Sequence, residues 1–436
     1  MVQKRLARIF ALSLSVPLLL GTLAACGAGT SSGSTSNNDV VTIKVATELP
    51  VSGKDTSSGK PTENGAHVAV DELQNSIPGY KIVFEAKDDV GSAGTNDPTV
   101  GAQNIKSLIT DTQVAGVVGP FNSGVAKAEM PDANNAPLAL ISPSNTNQCL
   151  TQENPDIGCK GSNDLVPTLR PTGKVTYFRI ATTDDHQGPA NADYLYKEAN
   201  LNLKKAYVID DTTVYGVGIA TTFSNEWTKL GGTVLGRSSE PSTTTSYVSL
   251  LTDIASKQPD VIYFGGTDAN GGLSVRQQMQ QVPALKNTVY AGGDGLVTDT
   301  FATTIGTTGG PVFGTVASSD SSKNPNYQKF LDSYKKYGDI GSYSAAGYDC
   351  MKILINAIHK AIDAGAKPAA SGDTEAAKKF RQAVIDQIQK TSYDGLTGHH
   401  SFDVNGDTTN KVITIQQIET VDGKAAWKIL KSVTVA

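Results

Sequence analysis

Val114–Gly124, reading VAGVVGPFNSG, limits what this chain can fold into more than any other stretch. Val114, Val117 and Val118 form a short apolar run of the kind that makes a buried strand. Gly119 and Pro120 end it. Ser123 stands one residue before VAKAEM, which reads as a helix start, so its hydroxyl is expected as the N-cap. A strand that turns through glycine into a helix leaves backbone N–H groups converging on one spot, at the positive end of the helix dipole. That geometry suits a carboxylate or another small anion. Any β–α turn satisfies the same pattern, so a second stretch is needed to give it meaning.

Leu138–Ile141 is that second apolar run, and Ser142-Pro143-Ser144-Asn145-Thr146 follows it. In an α/β sheet the strand after a helix usually lies beside the strand before it, and ligands bind off the carboxyl ends. Ser144 and Thr146 are therefore expected near Asn122 and Ser123. The alternation continues along the chain, which makes the fold class α/β. Strands are predicted at Val41–Glu48, Lys81–Asp89, Tyr177–Thr182, Lys205–Asp211, Val261–Gly266, Thr288–Gly293 and Lys411–Glu419. Helices are predicted at Glu63–Gln74, Thr99–Ile109, Pro189–Ala199, Gly271–Gln281, Asn326–Tyr337, Tyr343–Ala364 and Thr374–Gln389. No long-period internal repeat is visible.

The first 25 residues read differently. Lys4, Arg5 and Arg8 precede the apolar run Ile9–Leu20, and small residues follow: a secretory signal peptide. The run is too short, and too interrupted by Pro17, for a membrane span. Leu23-Ala24-Ala25-Cys26 resembles a bacterial lipobox, which implies that Cys26 becomes the lipidated first residue of the mature chain. Two or more acyl chains anchor a protein stably where one does not. Residues 26–39 then form a Gly/Ser/Thr/Asn tether with an average span of roughly 20 Å. Its G-x-S-x-G match has neither the preceding strand nor the following helix of a nucleophile elbow.

Several functions are argued against by the residues. The formal net charge is −5, more negative once the basic leader is removed, and no basic run occurs, which argues against nucleic acid. Gly216-Val217-Gly218 begins like a dinucleotide fingerprint but lacks the third glycine. Asp403-Val404-Asn405-Gly406-Asp407 begins like a calcium loop, yet its glycine comes two places early and Thr414 stands where the bidentate glutamate belongs. His399-His400 has no third metal ligand at useful spacing, and His67 reads as a surface or packing residue. No His-acid-nucleophile set is found, so neither catalysis nor a metal or other cofactor is expected. Cys149 and Cys159 lie in the polar loop Asn147–Asp164. In an oxidising envelope a disulfide there is expected, worth on the order of 2–3 kcal/mol. Zinc is the alternative, but no second pair of ligands is near. Cys350, on an apolar helix stripe, reads as a packed thiol.

The two loops after Val118 and Ile141, with nearly all of the mature chain around them, resemble the leucine/isoleucine/valine-binding proteins of bacterial ABC importers, the amino-acid branch of the type I periplasmic binding proteins. The resemblance implies two Rossmann-like lobes with parallel sheets joined by a three-segment hinge. Lobe 1 would comprise residues 40–182 and 318–397, and lobe 2 residues 183–317 and 398–436. It implies a ligand-binding cleft built from Ser58, Phe121, Asn122, Ser123, Ser144, Asn145 and Thr146 of the first lobe and Tyr215, Thr267 and Asp294 of the second. Ser123 and Thr146 would hold a ligand carboxylate, the Ser144 carbonyl and Asp294 its ammonium, and Tyr215 would cover its side chain. Ser58 and Thr267 stand where relatives carry aromatic residues, which leaves room for a larger or more polar amino acid, or for an amide or aromatic-acid ligand. The resemblance further implies a monomer held outside the cytoplasmic membrane by its lipid anchor. Its partners would be a small-molecule ligand and ABC permease subunits, with a signalling receptor as the alternative to a permease.

Overall fold

The computed structural model describes residues 40–153, 159 and 165–435; the expected signal peptide and the whole tether, Cys26 included, lie outside the described residues. The first sheet is built from β1 (Val41–Leu49), β2 (Tyr80–Asp88), β3 (Val114–Val118), β4 (Ala139–Ser142) and β5 (Tyr177–Arg179). Its helices are α1 (Thr56–Leu73), α2 (Pro98–Thr110), α3 (Ser123–Asn135) and the short α4 (Leu165–Leu169). The chain continues through α5 (Asp184–Asp193), β6 (Lys205–Asp210), α6 (Val214–Lys229), β7 (Thr233–Ser239), α7 (Val248–Ser256), β8 (Val261–Gly265), α8 (Leu273–Met279), β9 (Val289–Gly292), α9 (Asp299–Ile305) and β10 (Val312–Val316). It then forms α10 (Tyr327–Tyr334), α11 (Ser344–Asp363), α12 (Thr374–Ile388), the hairpin β11 (Tyr393–Gly395) and β12 (Gly398–His400), and the ribbon β13 (Val412–Val421) and β14 (Lys424–Thr434).

The first sheet runs β2-β1-β3-β4-β5, all parallel. The second runs β14-β13-β10-β9-β8-β6-β7, parallel from β7 to β10 and antiparallel at β13 and β14. Taken in chain order, β6 to β10 repeat the arrangement of β1 to β5: each half starts in the middle, steps one way, then crosses back. Each half therefore has a switch point, between β1 and β3 and between β6 and β8, where a crevice opens at the strands' carboxyl ends.

Burial explains the strands. Every residue of β3, β4, β8 and β10 is buried; β3, β4 and β8 read as apolar runs for that reason, whereas β10, with Gly314 and Thr315 breaking its run, was not predicted as a strand. The edge strand β7 alternates half-buried and exposed residues, and its Gly and Ser content hid it from the sequence reading. Helix α1 starts seven residues before its expected beginning, because Pro61 lies near its first turns rather than at a boundary. It packs closely on α11 through glycines: a Cβ on Gly65 would lie 1.9 Å from the Ser344 carbonyl oxygen, and one on Gly347 2.2 Å from that of Thr62. His67 packs between Phe84 and Tyr337, with ring centroids 4.5 and 4.9 Å away.

Three crossings join the halves among the described residues, and they touch at Thr182. Its N–H donates to the Ala317 carbonyl at 3.1 Å, and its hydroxyl reaches the carbonyls of Asn410 and Val412 at 3.1 and 3.0 Å. The third crossing comes later than the expected boundary at residue 398. Phe402 packs on Phe178 at 5.1 Å in the first core, and Asp407 forms a buried ion pair with Arg179 of β5 at 2.6 Å. Asp407 thus serves the first half, with its carboxyl held below the usual range against burial by the Arg179 charge. Cys149 and Cys159 are joined in a disulfide with Cα atoms 5.1 Å apart, and Cys350 is a buried free thiol pushed up by burial. His400 is buried and pushed down to about 4 by that burial, whereas His399 is exposed, so the two do not share an environment.

Candidate functional site

The carboxyl ends of the two sheets face each other. From β1 the chain runs through Pro50 to Asp55 and into the first turn of α1 at Ser58. From β3 it passes through Phe121 to Asn122 and α3. From the other half come Thr267, after β8, and Asp294, after β9. Ser58, Phe121, Asn122, Thr267 and Asp294 line one cavity, together with Tyr343 from the start of α11. A larger cavity, about 520 Å³, lies alongside; it shares Asn122 and Thr267 and is also lined by Ser123 and Tyr215.

Asp294 is 9 % exposed and carries the most connected side chain here. Its Oδ1 accepts from Gln187 Nε2 at 3.0 Å and from the Tyr215 hydroxyl at 2.8 Å; its Oδ2 accepts from the Tyr343 hydroxyl at 2.7 Å. Burial raises its pKa, and the hydroxyls of Tyr343 and Tyr215, with Gln187, oppose that rise. Gln187 Nε2 also reaches Asp184 Oδ1 at 3.2 Å. The Asp184 carboxyl is pushed well above the usual range, first by burial and then by the charge of Asp294. Two buried carboxyls share a neutral donor, and the cavity lining contains no Lys, Arg or His. The arrangement keeps one negative charge desolvated and hydrogen-bonded at the cavity wall, with no cation of the protein to neutralise it.

The N-terminus of α3 reaches both cavities through Asn122 and the larger one through Ser123. Asn122, not Ser123, is the N-cap by backbone geometry (φ −99°, ψ 137°), and its side chain makes no capping bond. Ser123 occupies the first helical position, and its Oγ receives a long contact of 3.4 Å from the Asn147 N–H. The helix start at this turn was legible from sequence; the capping residue was misplaced by one. The first-turn amides of α3 are left without a side-chain acceptor, at the positive end of a helix of 13 residues.

Not every expected site residue reaches a cavity. Ser144, Asn145 and Thr146 are buried and line neither one. Ser144 Oγ and Asn145 Nδ2 both donate to the Phe121 carbonyl, at 2.9 and 2.5 Å, and Asn145 Oδ1 accepts from the Tyr177 hydroxyl at 2.8 Å. The Thr146 carbonyl accepts from the Asp184 N–H at 2.7 Å. Ser144 and Asn145 thus brace the loop at Phe121, and Thr146 holds the start of α5 at Asp184. Tyr215 supports Asp294 through its hydroxyl. Sequence reasoning missed Gln187 and Tyr343 in this network. Gln187 lay in the TDDHQG stretch already placed at a crossing; Tyr343 carried no local signal beyond preceding a helix.

Contacts between the halves hold the cavity shut. Besides the Tyr343–Asp294 bond, Asn147 Nδ2 donates to the Val214 carbonyl at 2.7 Å and Ser342 Oγ to the Val297 carbonyl at 2.7 Å. Within the first half, Phe121 meets Tyr343 edge to face, with centroids 5.6 Å apart, and so steadies the ring that reaches across to Asp294. The structure is thus a closed arrangement of the two halves.

Known proteins match this geometry. The family described as periplasmic binding protein covers residues 42–425. The Leu/Ile/Val-binding protein BraC3 of Rhizobium johnstonii is 28 % identical over 323 residues, covering 73 % of this chain and 79 % of that protein. The crystal structure of the leucine-binding protein LivK of Thermotoga maritima superposes with a TM-score of 0.72 at 24 % identity, covering 90 % of this chain and 99 % of the other. A solute-binding protein of an ABC transporter from R. palustris, solved with 4-hydroxybenzoate, has a TM-score of 0.73 at 18 % identity, covering 90 % and 97 %. With two like-ordered sheets, a hinge of three crossings, an interlobe cavity and a family match across nearly the whole described chain, this protein belongs to the periplasmic binding protein family.

Proposed function

We propose that the chain captures an amino acid, or a related small zwitterion, in the cavity between its lobes and delivers it to an ABC importer in the cytoplasmic membrane. The observation that carries this reading is the polarity of the two adjoining cavities: a desolvated carboxylate at Asp294 lines the first, and the uncapped start of α3 reaches both through Asn122 and the second through Ser123. A ligand with an ammonium at one end and a carboxylate at the other answers both. Contacts made by both lobes would favour the closed form, and a ligand shifts that equilibrium only by its differential affinity for the two forms. Ser144 and Asn145 act in this reading by holding the loop at Phe121 and Thr146 by holding Asp184, with Ser58 and Thr267 shaping the side-chain end. The names of BraC3 and LivK agree with an amino acid. The hydroxybenzoate complex argues for an aromatic acid instead, but such an anion has no ammonium to place against Asp294.

The lobes are taken as residues 40–182 with 318–410, and 183–317 with 411–436. No helix among the described residues is long and apolar enough to cross a membrane. Anchoring is assigned to lipidated Cys26, on the outer side of the cytoplasmic membrane. A thermal-shift panel of amino acids, short amides and aromatic acids tests the reading. A binder raises the melting temperature by mass action, by an amount equivalent to about 2.7 kcal/mol at a hundredfold excess over Kd. Asp294→Ala is expected to abolish the response to every amino acid; an unchanged response would remove the ammonium assignment.

A further inference from the structure

We infer that the ligand carries a second cationic group seated against Asp55, so that the cavity takes an amino acid whose side chain ends in an ammonium or guanidinium. This rests on the amino-acid reading and narrows it.

The charged residues lining the cavity are Asp55, Asp294 and Asp299, all acidic. Asp294 is taken up by the α-ammonium in the reading above. Asp299 is exposed and sits at the rim. Asp55 differs from both: it is 5 % exposed, and only one of its oxygens is used. Oδ2 accepts from the Asn96 N–H at 2.6 Å and from Asn96 Nδ2 at 3.0 Å. Oδ1 accepts no hydrogen bond from the described residues and is not a fully buried atom, on a residue that lines the cavity. A ligand that closes over such an oxygen without donating to it leaves the oxygen desolvated at a cost, and a donor on the ligand removes that cost. The nearby Asp268 makes a useful contrast, since both of its oxygens are taken, by the Ala269 N–H at 2.8 Å and the Thr298 hydroxyl at 2.6 Å.

The wall around Asp55 points the same way. Ser57, Ser58, Thr298 and Ser342 line the same cavity, with Pro50, Phe121 and Val297 among its apolar members. A branched aliphatic side chain would lie against hydroxyls and a carboxylate and satisfy none of them. A long side chain could run along Phe121 and Val297 and end in a cation at Asp55. Sites that hydrogen-bond a polar group discriminate strongly against an analogue lacking it, because their own buried groups are then left unpaired.

L-lysine and L-norleucine test this directly, since they share a carbon skeleton and differ in the terminal ammonium. In calorimetric titrations of the intact protein, lysine is expected to bind at least about tenfold more tightly than norleucine. In Asp55→Asn, which can still accept from Asn96, that preference should fall to within about threefold. Norleucine binding as tightly as lysine would overturn the inference while leaving the amino-acid reading intact, as would binding of leucine without lysine. A lysine preference that survives Asp55→Asn would overturn the seat at Asp55. Binding of no proteinogenic amino acid would end the parent reading, and this one with it. Should Asp55→Asn not fold, the lysine-to-norleucine ratio of the unaltered protein still decides.

Discussion

At the scale of single residues, this protein spends its buried charges in two ways. Asp407 is paired: Arg179 holds it at 2.6 Å, with both side chains almost fully buried. Arg179→Met should leave an unpaired buried carboxylate and cost about 3–5 kcal/mol, measured by denaturant unfolding at neutral pH. The Asp407 pKa lies below its unfolded value, so the pair's contribution is present above about pH 4 and lost as pH falls through the depressed folded value. Asp294 is unpaired and held by neutral donors instead. That contrast separates a structural acid from one available to a guest. Sequence alone could not make the distinction, since both follow glycine in loops. Neither Arg179 nor Tyr343 stands near its partner in the chain.

At the scale of elements, α3 and β1 meet through two acids. Glu48 at the end of β1 and Glu129 in α3 are fully buried, with Asn104 Nδ2 donating to Glu48 Oε1 at 3.1 Å. Two carboxyls buried in one place each hold a proton more tightly. Burial pushes Glu48 up to about 7, and it drives Glu129 well above the usual range, with the charge of Glu48 adding to it. Because the folded values exceed the unfolded ones, this contact is most stable below about pH 4 and weakens as pH rises through 7. The melting temperature should therefore fall between pH 5 and 8, and Glu129→Gln, whose amide donates without a titrating proton, should flatten that fall. A profile unchanged by the substitution would place the titrating group elsewhere. The seam between α1 and α11 makes a second element-scale prediction. A Cβ at Gly347 would meet the Thr62 carbonyl oxygen at 2.2 Å, so Gly347→Ala should destabilise the first lobe by about 1–3 kcal/mol, read as a lower denaturant midpoint.

At the scale of the whole molecule, closure depends on a few polar contacts across the cleft. Asn147 to Val214 and Ser342 to Val297 are each single hydrogen bonds between the lobes, worth about 1 kcal/mol apiece. Asn147→Ala should shift the unliganded population toward the open form and weaken ligand binding about fivefold. Small-angle scattering should report a larger radius of gyration without ligand and recovery at saturating ligand. Thr182, which ties the three crossings together, is where the lobes would turn.

Much of the fold was legible because buried parallel strands must be short apolar runs, and β3, β4, β8 and β9 could be read on that ground. The loops at their carboxyl ends followed, and the family resemblance pointed within them to Phe121, Asn122, Thr267 and Asp294, which line the cavity. The edge strands β7 and β14 were not legible although the half-exposed β2 was, because β2 alternates Tyr80, Ile82 and Phe84 where β7 carries Gly and Ser. Nor did the chain reveal that Ser144 and Asn145 turn inward to brace a loop, or that Asp55 keeps an oxygen free. Local sequence determines which segments bury themselves and where they stop. Which side chain faces the guest is decided by partners hundreds of residues away, because a polar group turns toward whichever donor or acceptor the packed structure leaves within reach.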